Sequence, residues 1–229
     1  MHPKEGIRYQ PISSQDYAAL QNTTGAYCVR HTGVGAFELG LQYQYLVDGQ
    51  LHREGGPAKQ WQDGTQEWYQ HGKPHREDGP AFVHEQGQKL VWMHHGLVHR
   101  LDGPAVIQPD CSWWYQQGKL HRLDGPALMS TNGVQKWFQR GQYHREDGPA
   151  LLRINPKDGK VLEERWYRQG QLHREDGPAL QTAKGVKKWY LLGNQVPYKQ
   201  MPYVQAQRMS RAMKSETQSK KKTALGMAL

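Results

Sequence analysis

The sequence predicts an all-β protein, an elongated antiparallel array of β-hairpins forming a single-layer or curled sheet with short flanking segments. Three observations lead there. A unit whose clearest copy runs from Trp166 to Ala179, Trp-Tyr-Arg-Gln-Gly-Gln-Leu-His-Arg-Glu-Asp-Gly-Pro-Ala, recurs along the chain. Aligned on the glycine three residues before the histidine, the copies fall at Gly49, Gly72, Gly96, Gly118, Gly141, Gly170 and Gly193, in steps of 23, 24, 22, 23, 29 and 23 residues. A period of this size marks a repeat array that grows along one axis. Dipeptides with hairpin-turn chemistry, Asp63-Gly64, Gln86-Gly87, Asn132-Gly133 and Lys184-Gly185, separate short strand-like runs. Pro57, Pro80, Pro104, Pro126, Pro149 and Pro178 stand where those runs begin, and there a missing amide donor does least harm to a ladder.

Taken in order, residues 1–40 form a lead-in or cap segment. Ser13-Ser14-Gln15-Asp16 before Tyr17-Ala18-Ala19-Leu20 reads as the start of a helix of about two turns at most. Thr32 to Gly40 is punctuated by glycine and reads as a degenerate first strand capping the array. The array occupies 41–198, about six and a half repeats. Each repeat parses into two short strands and two turns: an apolar run such as Ala105-Val106-Ile107, a polar turn, and a strand ending in the aromatic pair. The Asp-Gly before each proline supplies a sharp reversal. The one long step is explained by Asn155-Pro156-Lys157-Asp158-Gly159-Lys160, an insertion in a turn. The last copy keeps Trp189-Tyr190 and Gly193 but has Val196-Pro197 where the others have His-Arg, as a terminal half-repeat would. Residues 199–229 are a basic tail that the apolar stripe does not need, with a weak helical spacing of Val204, Met209, Ala212 and Met213.

Side chains along a strand alternate between faces. One row is therefore Tyr45, Trp68, Trp92, Trp114, Trp137, Trp166 and Trp189, and the other is Leu46, Tyr69, Met93, Tyr115, Phe138, Tyr167 and Tyr190. The tryptophans are the candidates for burial. Tyr69, Tyr115, Phe138, Tyr167 and Tyr190 are then the exposed aromatic row open to a partner.

Apolar residues make up 36% of the chain, and eight Trp and twelve Tyr stand against three Phe, so burial relies on rings that keep a polar tip wet. The formal charge of +9 belongs mainly to the tail. Lys199, Arg208, Arg211, Lys214, Lys220, Lys221 and Lys222 face Glu216 alone there, which is +6 and leaves +3 for the other 198 residues. Cys28 and Cys111 give no disulfide framework and no metal-ligand spacing. No run approaches the roughly 18 apolar residues of a membrane span, so a cytoplasmic protein without a span is expected.

The recurring polar set is His75, Arg76 and Asp78; His99, Arg100 and Asp102; His121, Arg122 and Asp124; His144, Arg145 and Asp147; His173, Arg174 and Asp176. A catalytic centre needs one constellation with its own support, and this one is repeated in line, so the set reads as a structural ladder with no catalytic residues. The aspartate accepts from turn amides and the arginine, and the histidine packs or donates to the next hairpin. Equivalent residues of neighbouring repeats lie roughly 9 to 10 Å apart, too far to share an ion. His94 and His95 with His99 form the densest group, but strand neighbours point to opposite faces, so no metal and no cofactor is expected. An arginine row at this pitch meets about every third phosphate of a nucleic-acid strand. In the tail, Lys214, Lys220, Lys221 and Lys222 precede the apolar Ala224 to Leu229, in the manner of a short docking segment.

The units Trp-Tyr-x-x-Gly-x-x-His-Arg-x-Asp-Gly-Pro-Ala resemble MORN-type repeats, specifically the variant repeats of phage, large-virus and bacterial proteins, some of them antitoxin-like. The match covers about 155 of 229 residues. The resemblance implies stacked hairpins serving as a scaffold or binding module without catalysis, in a bacterial or infected-host cytoplasm. The expected function is a non-enzymatic protein-binding scaffold or inhibitor, phage-encoded and directed at a host or competing factor. The alternative is a nucleic-acid or nucleotide-binding protein using the arginine row and the basic tail.

Overall fold

The computed structural model describes residues 10–13, 24–30, 42–84, 87–203, 206 and 210. The chain is all-β: its elements are short strands, with a 3-10 turn at Tyr198–Gln200. Among the described residues no helix is long and apolar enough to cross a membrane. The chain divides into two compact units, Met1–Thr131 and Asn132–Leu229, cut at the Asn132-Gly133 turn inside the 41–198 array.

In the first unit Gln10–Ser13 pairs in parallel with Gly25–Arg30, which pairs antiparallel with Gln42–Val47. From there Lys59–Trp61, Gln66–Glu67, Phe82–His84, Lys89–Val91, Val106–Gln108, Cys111–Trp113 and Leu128–Ser130 add one after another, all antiparallel. In the second unit the same meander runs through Val134–Lys136, Leu151–Ile154, Val161–Arg165, Leu180–Thr182 and Lys187–Lys188. Ser13 ends a strand rather than capping a helix, while residues 14–20 and the expected capping strand at Thr32 to Gly40 lie outside the described residues.

A repeat holds four strands, not two. The strand expected to end in the aromatic pair stops one residue short of each tryptophan, and a second, separate hairpin begins one residue after it. Around Trp114 these are Cys111–Trp113 and the hairpin Tyr115–Gln116 with Lys119–Leu120. The break has a backbone cause. Trp114 N–H donates to the Ala127 carbonyl at 2.8 Å and its own carbonyl accepts from His121 N–H at 3.0 Å, so its peptide groups belong to the loop of its own repeat. The small hairpins turn through two left-handed residues, such as Gln117 at φ 48° and Gly118 at φ 73°, which is the type I′ turn whose twist suits a two-residue loop.

The core also differs from expectation. The fully buried row is alanine: Ala58, Ala81, Ala105, Ala127, Ala150 and Ala179 are each 0% exposed, whereas the tryptophans are half-buried. Each alanine stands just before a strand, its carbonyl accepting from the N–H of the repeat's tryptophan, or of Tyr45 at Ala58. The insertion sits in a turn as expected. The register between Leu151–Ile154 and Val161–Arg165 shifts at Arg153/Ile154, and Asn155 Oδ1 accepts from Lys157 N–H at 3.0 Å to close the loop.

Candidate functional site

The recurring polar residues are brought together inside the packing. Each motif arginine lies over the tryptophan of its own repeat, its guanidinium carbon 3.8 to 4.2 Å from the ring centre for Arg76 on Trp68, Arg100 on Trp92, Arg122 on Trp114, Arg145 on Trp137 and Arg174 on Trp166. Such contacts between a cation and a ring face are attractive. Arginine Nε donates to the aspartate two residues on, at 2.7 to 3.0 Å for Asp78, Asp102, Asp124, Asp147 and Asp176. Nη1 donates to the carbonyl of the proline four residues on, as from Arg122 to Pro126 at 3.3 Å. The bond from arginine holds all five carboxyls below the usual carboxylate range.

The guanidinium's other face lies against the glycine of Asp-Gly-Pro. A Cβ on Gly125 would stand 2.9 Å from Arg122 Cζ, and one on Gly148 2.6 Å from Arg145 Cζ. Neither glycine has a positive φ, so the sharp reversal expected of the Asp-Gly pair is not what requires glycine here. Space for the arginine is. In the first copy Arg53 stacks on Tyr45 at 3.8 Å and bonds to the Pro57 carbonyl at 3.1 Å, with Gly55 where the others have aspartate.

The histidines join one repeat to the next, as acceptors rather than donors. Nδ1 of His52, His75, His99, His144 and His173 accepts the N–H of the first left-handed turn residue of the following hairpin, at 3.1 to 3.2 Å. Two backbone bonds run alongside each. From the third to the fourth repeat these are Gly118 N–H to the Val98 carbonyl at 2.9 Å and Arg100 N–H to the Tyr115 carbonyl at 3.1 Å. A neutral imidazole that accepts at Nδ1 carries its proton on Nε2. His173 Nε2 then faces Glu175 at 3.3 Å, so neither ring nitrogen is left with a lone pair for a substrate proton.

The densest histidine group is His75, His94 and His95, whose ligand atoms lie within 4.8 Å of one another; His99 stands 6.0 Å from His94, ring to ring. His94 and His95 do not point apart, because His95 is in the turn at φ 47°, and their rings are 4.3 Å apart. Two facts oppose a shared ion. His75 Nδ1 already accepts the His95 N–H, which leaves the proton on Nε2. The His75 and His95 rings are stacked at 4.2 Å and 12°, and an ion in the plane of each ligand ring cannot lie in two offset, nearly parallel planes. Burial of His75, with repulsion from His95 and His94, pushes its pKa down.

No family model matches this chain, and no curated protein matches it.

The expected aromatic row is only partly open. Phe138 is buried, Tyr69, Tyr115, Tyr167 and Tyr190 are half-buried, and Tyr167 stacks on Tyr143 at 4.8 Å. Lys214, Lys220, Lys221 and Lys222 lie outside the described residues. In the second unit a cavity of about 490 Å³ opens between loops, walled by His144, Trp166, Tyr167, His173, Arg174 and Glu175. Its charged groups are already paired, Arg174 with Asp176 and Glu175 with His173. Cys111 is pushed up to about 11 by burial and the neighbouring Asp110 carboxylate, which suppresses the thiolate.

Sequence reasoning missed the motif position that is both exposed and variable, the x of His-Arg-x-Asp. Glu77, Leu101, Leu123, Glu146 and Glu175 are all exposed there, as is Glu54 in the first copy. The signal was present: within His-Arg-x-Asp-Gly-Pro-Ala, x alone alternates between Glu and Leu while the rest repeats almost unchanged.

Proposed function

We propose that the chain is a non-enzymatic protein-binding scaffold. The observation that carries this reading is the use of the recurring polar side chains in the architecture: the motif arginines between tryptophan and glycine, aspartate on arginine, and His52, His75, His99, His144 and His173 on the next turn. What varies outward in each loop is the x residue, beside an exposed aspartate already bonded to its arginine, and changing chemistry on a fixed frame is how a repeat scaffold distinguishes partners. The resemblance to MORN-type repeats of phage and bacterial proteins extends the reading to an inhibitor of a host or competing factor, acting in the cytoplasm. Nucleic-acid binding through the arginine row draws little support, because each guanidinium is committed to a ring, a carboxylate and a carbonyl. That alternative rests on the basic tail.

The test is capture from a bacterial lysate by the immobilised chain, with and without nuclease, at two salt concentrations. Nuclease-resistant capture of a discrete protein is the expected result. Capture abolished by nuclease, with the steep salt dependence of phosphate contacts, would replace this reading with the nucleic-acid one.

A further inference from the structure

We infer that the row Glu54, Glu77, Leu101 and Leu123 of the first unit is a docking track for a polyproline-II segment of another protein, carrying two basic and then two apolar side chains at every third position. This rests on the protein-binding reading and gives that partner a chemistry.

The row consists of side chains that project from the loops: Glu77 reaches back to His75 Nε2 at 3.8 Å, while Leu101 and Leu123 stand in water. Glu77 is 84% exposed, Leu101 75% and Leu123 76%. A leucine left in water to that degree gains nothing on folding, and two in consecutive loops, where neighbouring copies carry glutamate, form an apolar patch next to an acidic one. The alternation calls for a ligand that changes from basic to apolar along its length, with carboxylates facing cations at the Glu54 end.

The spacing selects the ligand's conformation. Loops of successive repeats are two strand spacings apart, about 9.4 to 9.8 Å. The pitch holds on the loop side, since Arg76 N–H bonds to the Met93 carbonyl of the next hairpin, and Met93 pairs across to Val98 just before the following loop. A β-strand shows alternate residues on one face about 6.6 to 6.8 Å apart and falls out of step at the first repeat. A polyproline-II helix returns to the same face every third residue, about 9.3 Å on, and over three repeats it lags by less than about 2 Å. It also meets the track with little ordering entropy left to lose.

The test is fluorescence anisotropy on the full chain with a labelled peptide, Arg-Pro-Pro-Arg-Pro-Pro-Leu-Pro-Pro-Leu. Saturable binding is expected, weakened at least about tenfold by Leu101→Glu with Leu123→Glu, and by Glu54→Lys with Glu77→Lys. All four sites are exposed, so Leu101→Glu with Leu123→Glu should melt with wild type, and Glu54→Lys with Glu77→Lys should lose only the solvent-screened contact of Glu77 with His75. A peptide with the order interleaved, Arg-Pro-Pro-Leu-Pro-Pro-Arg-Pro-Pro-Leu, and one with the four side chains at alternate positions, should bind at least about tenfold more weakly. No binding, or binding that neither double variant alters, overturns the proposal. If both double variants also keep a nuclease-resistant partner from lysate, the track falls while the scaffold reading stands; if wild type captures none, the scaffold reading falls as well.

Discussion

Arg122 is held on four sides: the Trp114 ring on one face, Gly125 on the other, Asp124 at Nε and the Pro126 carbonyl at Nη1. A planar, forked cation can satisfy all four, and lysine, a point charge on a flexible stem, cannot. Arg122→Ala should therefore destabilise by about 2 kcal/mol, and Arg122→Lys should recover little of it, both read from urea midpoints. Gly125→Ala puts a methyl carbon where the guanidinium lies and should cost about 1 to 3 kcal/mol although the backbone there is ordinary. An alanine variant that melts with wild type would mean the arginine is not seated on that glycine. Asp124 is 83% exposed, so Asp124→Ala should cost much less than Arg122→Ala. Its depressed carboxyl contributes stability above the ordinary aspartate range that is lost as pH falls through the lower folded value, and at that exposure solvent screens most of it.

At the scale of the element, the small hairpins are two-stranded sheets that would be marginal alone, and within each unit they persist because a hairpin is bonded to its predecessor through a glycine amide, an arginine amide and a histidine ring, as at Gly96, Arg76 and His75. The ring bond needs neutral imidazole, because a second proton turns the acceptor nitrogen into a donor. His75 is the buried case, 3% exposed, with a pKa held below its ordinary 6.5 by burial and then by His95 and His94. A lowered folded value means the contribution is present above pH 6.5 and lost as pH falls through the folded pKa. Urea midpoints should thus drop on acidification below that pH. His75→Asn, whose side-chain oxygen can still accept from His95 N–H, should be more stable than His75→Phe by about 1 kcal/mol and should flatten part of the drop. Equal pH slopes for wild type and His75→Asn would remove the histidine from the account. The hairpin array and its turns were legible because each has a period or a turn chemistry visible in one dimension. The break at tryptophan was not, since it depends on where the backbone groups of Trp114 find partners thirteen and seven residues away, at Ala127 and His121. Nor was the alanine core, because a residue with so little apolar area carries almost no hydrophobic signal.

For the molecule as a whole, a repeat array is only as secure as its last interface, and the end copy lacks the device used elsewhere. Val196-Pro197 replaces His-Arg, so Trp189 lacks an arginine from its own motif. Tyr198 stands over it with ring centres 5.1 Å apart, and beyond the 3-10 turn Met201 is 0% exposed. The boundary drawn after residue 198 from sequence therefore falls inside the 3-10 turn: Lys199 and its neighbours read as the start of a solvated tail, and a fully buried apolar residue, Met201, lies among them. Met201→Ala should destabilise by about 2 to 5 kcal/mol, the cost of emptying a fully packed site. Because interfaces in such arrays act between nearest neighbours, the loss should appear first as faster hydrogen exchange in the Tyr190–Leu191 and Asn194–Gln195 hairpin, while the amides around Trp114 keep their protection. A chain ending at Tyr198 should be at least as weak as Met201→Ala. Should that truncated chain melt with wild type, the array would close on Trp189 and Tyr198 alone, and Met201 would be covered without contributing to the fold.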